Sequence, residues 1–185
     1  AGTVAESLIY AYSKAFPDLE KITIWARNIE KAEILINKIK GLSPTIETND
    51  DIELSASTAD IISTATMAHE PVLKGKWVKP GTHIDLIGAF TSDMREADDF
   101  LMSSGSIFVD SRATTIEHIG ELTIPISNGI ISKNDIIGDF YDLIPSSKSG
   151  RKSNDEITIF KNGGGAHLDL MIAKYLIEIS NNSIS

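Results

Sequence analysis

Short β-branched runs alternate along this chain with longer stretches whose apolar residues recur at helical spacing. ITIWA (22–26), IISTAT (61–66), HIDLIGA (83–89), SIFVDS (106–111) and ITIFK (157–161) read as compact strands. Thr3 to Phe16 reads as a helix stopped by Pro17, and IEKAEILINKIK (29–40) as a second, closed on its C-terminal side by Gly41. MREADDFLMSSG (94–105) predicts a short helix ending on glycine, and AHLDLMIAKYLIEI (166–179) a closing one. A polar stretch containing Pro and Ser covers roughly 123–155, within which PSSKSGRKSND (145–155) is expected to be a flexible loop. Short apolar strands separated by helices imply an α/β fold of Rossmann type. The expected sheet is doubly wound and mostly parallel, with helices on both faces.

Composition narrows the partners. The 185 residues are 42% hydrophobic, enough for a core without covalent staples. With no cysteine, disulfides and thiolate metal sites are excluded, which fits a reducing compartment and a cytoplasmic protein. The net charge of −9, with no basic run, argues against nucleic acid and anionic membrane as partners. No apolar stretch approaches the roughly 18–20 residues of a membrane span. His69, His83, His118 and His167 are scattered without a paired spacing, so no metal site is expected. Ser111 follows Asp110, but no G-x-S-x-G elbow supports a hydrolase. Asp93, Arg95 and Glu96 read as charges capping a helix start.

The chain opens AGTVA and runs directly into its first helix. In a dinucleotide fold the first strand ends in G-x-G-x-x-G/A, with the pyrophosphate on the N-terminal amides of the next helix. Gly2 then stands at the second glycine, where a side chain would obstruct the phosphate, and Ala5 at the third, small position. The first strand and first glycine would precede Ala1. The next strand ends Trp25-Ala26-Arg27-Asn28. That end lacks an acid for the ribose 2′-hydroxyl of NAD and has an arginine suited to a 2′-phosphate.

TATMAHEPVLKGKWVKPGTHIDLIGAFTSDMREADD (64–99), FVDS (108–111) and ITIFKNGGGAHLDL (157–170) carry a resemblance to the ornithine cyclodeaminase/mu-crystallin family, running from Ala1 to about Ser180. The resemblance implies a two-domain parent protein. Residues 1–161 correspond to its NAD(P)-binding domain. Residues 162–185 form a C-terminal helix that packs toward an upstream domain, which supplies dimer contacts and substrate-binding Arg and Lys. It also implies a cofactor site. Gly2, Thr3 and Val4 would meet the pyrophosphate, and Arg27, Asn28 and Lys31 the 2′-phosphate. Thr64, Ala65, Thr66, Ile87, Gly88 and Ala89 would line the ribose and nicotinamide side, with Gly164 closing it. NADP(H) is expected ahead of NAD(H), and the whole protein is expected to be a homodimer.

Among family activities the choice turns on Phe90. Members that cyclise ornithine to proline with loss of ammonia carry an assisting aspartate at this position, and phenylalanine neither moves a proton nor carries charge. GAFTSDMREAD (88–98) resembles the ketimine reductases of the family. These reduce Δ1-pyrroline-2-carboxylate and Δ1-piperideine-2-carboxylate to L-proline and L-pipecolate, with Phe90 as a wall beside the flat ring. Ornithine cyclodeaminase and a non-catalytic NADPH-dependent ligand carrier of mu-crystallin type are the alternatives. No catalytic residue is assigned within this chain, and residues 1–185 alone are expected to be inactive.

Overall fold

The structure, a computed structural model, describes residues 1–182. It is α/β, with every paired strand parallel and helices flanking the sheets. The chain divides into two compact units, Ala1–Asp60 with Trp77–Lys79, and Ile61–Lys76 with Pro80 onward.

In the first unit, α1 (Thr3–Ala15) leads to β1 (Lys21–Ile24), α2 (Ile29–Lys38), β2 (Thr45–Thr48) and α3 (Ile52–Thr58). β1 and β2 pair in parallel, Lys21 against Thr45 through Ile24 against Thr48. Ile9 of α1, Ile24 of β1, and Ala32 and Leu35 of α2 bury a common core with Ile39. That core is why the apolar residues of both helices recur every three or four positions. β2 and α3 escape sequence reading because both are short and three of the four residues of TIET are polar; Asp51 caps α3 by accepting the Leu54 amide at 2.9 Å.

The second unit holds β3 (Ile61–Thr64), β4 (His83–Leu86), β5 (Ser106–Val109), β6 (Ile136–Gly138) and β7 (Thr158–Lys161), in the order β3-β4-β7-β5-β6. The late strand β7 thus inserts between β4 and β5, which brings Leu86, Lys161 and Val109 together at one edge. Ile84, Leu86, Ile107, Val109 and Ile159 are sealed from solvent. In β5 Phe108 is buried as well, so that strand is covered on both faces, whereas β4 buries alternate residues. The remaining helices are α4 (Asp99–Ser104), α5 (Arg112–Thr115), α6 (Gly120–Ser127), α7 (Phe140–Leu143) and α8 (Ala166–Asn182).

Three expectations are corrected. Residues 94–98 are not helical: α4 begins at Asp99, and Leu73 bridges Ala97 in parallel instead. The Asp98 amide donates to the Leu73 carbonyl rather than back to Met94, and the Glu96 carbonyl accepts the Val72 and Leu73 amides, so the segment pairs across the fold instead of along itself. Within 123–155 lie much of α6, β6 and α7; α6 forms despite Pro125 because Leu122 and Pro125 bury, and Gly129 at φ +70° ends it. Strands β3 and β4 stop at Thr64 and Leu86, short of positions 66 and 89, for a reason that belongs to the site below. Residues 145–155 carry no helix or strand.

Asp98 caps α4 through the Leu101 amide, and the same oxygen accepts the Gly75 amide, both at 2.9 Å. Gly75 packs so closely that an added Cβ would sit 2.6 Å from the Leu101 nitrogen. Asp98→Ala should therefore cost about 1–3 kcal/mol, read as a fall of several degrees in Tm. An unchanged Tm would show that neither bond contributes.

Candidate functional site

Because the strands of each sheet run parallel, all their C-terminal ends share an edge, where ligands bind in open α/β sheets. The expected residues fall at such edges or at helix starts. In the first unit Gly2 is the N-cap of α1, in extended backbone, with Thr3 and Val4 in the first turn. No side chain caps this helix, so its leading amides are available to an anion, and an added Cβ on Gly2 would meet nothing within 4 Å. Gly2, Thr3 and Lys31 line one cavity of about 230 Å³, together with Glu6 and Lys38. Arg27 is exposed just beyond β1, with no ion pair among the described residues. Trp25 fixes that strand end by donating its indole N–H to the Asp50 carbonyl at 3.1 Å. Asn28 caps α2: its side-chain oxygen accepts the Glu30 amide at 2.9 Å, leaving its amide nitrogen free to donate.

In the second unit Thr64 ends β3, with Ala65 and Thr66 next; Ile87, Gly88 and Ala89 follow β4. The Thr64 hydroxyl is buried and has no hydrogen-bond partner. Ile87 makes the last rung of the ladder, its amide donating to the Thr64 carbonyl at 2.9 Å. Beyond it both strands leave the ladder, because the Thr66 and Gly88 amides donate to the two oxygens of Glu96, at 2.6 and 2.7 Å. A side chain on Gly88 would lie 2.0 Å from the Thr66 carbonyl oxygen. Phe90, four residues beyond β4, is 58% exposed, so it is not part of this chain's core. Gly164 adopts φ +67°, and Gly163 packs on Thr115 and Asp110 with no room for a Cβ.

Glu96 is fully buried, as are Glu121, Asp110 and Lys161. None was marked by sequence as part of a site; Glu96 reads as a helix-start charge only if residues 94–98 are helical, which they are not. Glu121 accepts the Glu96 and Ala97 amides at 2.7 and 2.9 Å. Burial pushes its pKa up to about 7, against the opposing pull of those two amides and of Lys161. Lys161 donates to the Leu86 carbonyl at 3.0 Å. Desolvation lowers its pKa, while Glu121, Glu96, Asp110 and Asp85 oppose that shift. One signal could have found Lys161: a lysine closing the apolar strand TIFK at its buried end. Next to this cluster Asp110 Oδ2 and His167 Nε2 face each other at 3.5 Å, both buried and without a hydrogen bond. The other histidines are apart from it. His69 pairs with Asp93 at 3.1 Å, and His83 meets the Thr158 hydroxyl at 2.8 Å.

Parallel strands flanked by helices in both units define a Rossmann-type α/β protein. The chain belongs to the ornithine cyclodeaminase/mu-crystallin family, whose model matches residues 1–183. It is 52% identical over 179 residues to the Δ1-pyrroline-2-carboxylate reductase of Paracoccus denitrificans, covering 97% of this chain and 57% of the relative. Among solved structures it resembles Thermococcus litoralis Δ1-pyrroline-2-carboxylate reductase in complex with NADH and L-proline. That match has a TM-score of 0.84 at 31% identity, over 89% of this chain and 51% of the other. An archaeal alanine dehydrogenase dimer with bound NAD gives a TM-score of 0.88 at 29% identity, over 98% and 56%. The chain thus spans between half and three-fifths of the length of these proteins.

The contact between the loops after β3 and β4 leaves no space for a methyl group. Gly88→Ala should therefore cost about 1–3 kcal/mol by overpacking. Gly2→Ala, in open space, should cost less, about 0.5–1 kcal/mol for a poorer N-cap residue. Thermal unfolding of both variants checks this, and equal Tm values for the two would contradict it.

Proposed function

We propose that the complete protein reduces cyclic imino acids, Δ1-pyrroline-2-carboxylate and Δ1-piperideine-2-carboxylate, to L-proline and L-pipecolate, using NAD(P)H. The observation that carries this reading is Phe90, an exposed aromatic beyond β4, in a chain 52% identical to a pyrroline-2-carboxylate reductase. The reduced nicotinamide ring, when bound, supplies the hydride for the C=N carbon. A cyclic imine protonated on nitrogen accepts hydride directly, so position 90 needs a flat apolar surface rather than an acid. An ornithine cyclodeaminase would need that acid, and Phe90 cannot serve.

The residues fit the cofactor. In the first unit the uncapped amides of α1 beside Gly2, Thr3 and Val4 would take the pyrophosphate. Arg27, the free amide nitrogen of Asn28, and Lys31 would take a 2′-phosphate. In the second unit the unpartnered Thr64 hydroxyl, with Ala65, Thr66, Ile87, Gly88 and Ala89, would line the ribose and nicotinamide side, and Gly164 would close it. Substrate-binding cations and dimer contacts would come from the part of the parent protein outside this chain. The apolar residues exposed along α8, among them Leu170, Tyr175 and Leu176, suit a helix that packs toward such a domain. The setting we propose is a cytoplasmic homodimer.

The complete protein should oxidise NADPH in the presence of Δ1-pyrroline-2-carboxylate and release little ammonia from L-ornithine; efficient ammonia release would reverse the assignment. Arg27 can meet a 2′-phosphate through charge-assisted bonds worth roughly 1.5–3 kcal/mol, or about ten- to a hundredfold in affinity. NADPH should therefore bind more tightly than NADH, and Arg27→Ala should erase most of that difference while leaving NADH affinity nearly unchanged. Equal dissociation constants in the unmutated protein would exclude this role for Arg27.

A further inference from the structure

Two buried carboxylates stand in series behind the C-terminal edge of the five-stranded sheet. Glu121, on α6, accepts the amides of Glu96 and Ala97 with one oxygen each. Glu96, its backbone so held, accepts the amides of Thr66 and Gly88 with one oxygen each. Four backbone donors and four carboxylate oxygens are thereby matched, the donors lying outside the named helices and strands in three separate stretches. Gly120, which starts α6, permits the approach: a Cβ there would lie 2.4 Å from the Met94 carbonyl oxygen.

We propose that Glu96 and Glu121 are positioning residues that act as a relay. Glu121 fixes the backbone at 96–97, and Glu96 then fixes where the loops after β3 and β4 present their backbone at the sheet edge. The proposal rests on the cyclic imine reductase reading only for its kinetic consequence; the four hydrogen bonds stand independently of it. Thr66 and Gly88 follow the strand ends that would line the nicotinamide side. Hydride transfer depends steeply on the placement of the reacting atoms, so small movements there alter turnover. Simple scaffolding would need only one acceptor per amide from any source. Here each pair of amides is held by the two oxygens of one side chain, which fixes the orientation of the backbone as well as its position.

The relay has a proton-dependent end. Glu121 carries a pKa raised to about 7 by burial, and protonating it replaces an acceptor by an O–H facing an N–H. The charged groups facing it are Glu96 and, from β7, Lys161, which itself faces Asp85 of β4 and Asp110 beyond β5. The sign follows. A carboxyl whose folded pKa exceeds its unfolded value stabilises the fold at low pH. That contribution is lost as pH rises from about 4.5 to about 7. His83, held low by burial, has the opposite sign near its own range, so only the difference between wild type and Glu121→Gln isolates Glu121.

The test uses the complete protein carrying Glu96→Gln, Glu121→Gln or both. Gln retains size but turns an N–H₂ toward one of the two amides in each pair. Each single variant should lower kcat by about tenfold or more, with KM for NADPH changed less than about twofold. The double variant should cost no more than Glu96→Gln alone, since relay members act as a unit. Multiplying losses in the double variant, or kcat values equal to wild type, would overturn the relay. Failure of the wild type itself to reduce a cyclic imine would instead overturn the reading of the reaction. Should the variants not fold, amide resonances of the wild type decide. Those of Thr66 and Gly88 should titrate near pH 7 in step with those of Glu96 and Ala97. Flat Thr66 and Gly88 resonances beside titrating Glu96 and Ala97 resonances would overturn it.

Discussion

The carboxylate of Glu96 lies between two backbone amides, Thr66 and Gly88, and the edge of the five-stranded sheet is organised around it. A buried carboxylate without partners costs several kcal/mol, so its two acceptor sites must be filled. Filling them draws two adjacent strands out of their ladder at the same level. That is why β3 and β4 end together, why Gly88 has no side chain, and why residues 94–98 are not helical before α4. The same segment needs acceptors for its own amides, and Glu121 supplies them from α6.

Lys161 adds the compensating charge. It ends β7, the strand inserted between β4 and β5, so the topology of the sheet places a cation beneath the acids contributed by their neighbours. Its ammonium donates to Leu86, on the strand whose end Glu96 holds. A sheet built without β7 between β4 and β5 would leave these acids uncompensated. Strand order and electrostatics are therefore one constraint in this unit. The edge so fixed can present a rigid backbone and an exposed aromatic, Phe90, without any acid at that position. An orientation-dependent transfer asks for such a surface.

The strands and the long helices were legible because period and length agree with burial: HIDL buries Ile84 and Leu86 at alternate positions, SIFV buries Ile107, Phe108 and Val109 in succession, and the helix over 29–38 buries Ala32 and Leu35. Shorter elements were not. TIET, IIG and FYDL are too brief for periodicity to speak, and α6 contains a proline that argues against helix. Positions of Gly2, Arg27 and Phe90 relative to strand ends and helix starts could be read locally, since each depends on a few neighbours. Glu96 could not. Its role depends on residues 30 and 25 positions away, Thr66 and Glu121, and an acid three positions before a helix looks the same whether solvated or buried.

Isotope transfer tests the central claim most directly. The complete protein, given NADPH deuterated on the transferable face at C4 of the nicotinamide, is incubated with Δ1-pyrroline-2-carboxylate, and the proline formed is examined by mass spectrometry and NMR. The account predicts L-proline with a single deuterium at C2. Proline without deuterium at C2, or no proline at all, would contradict it.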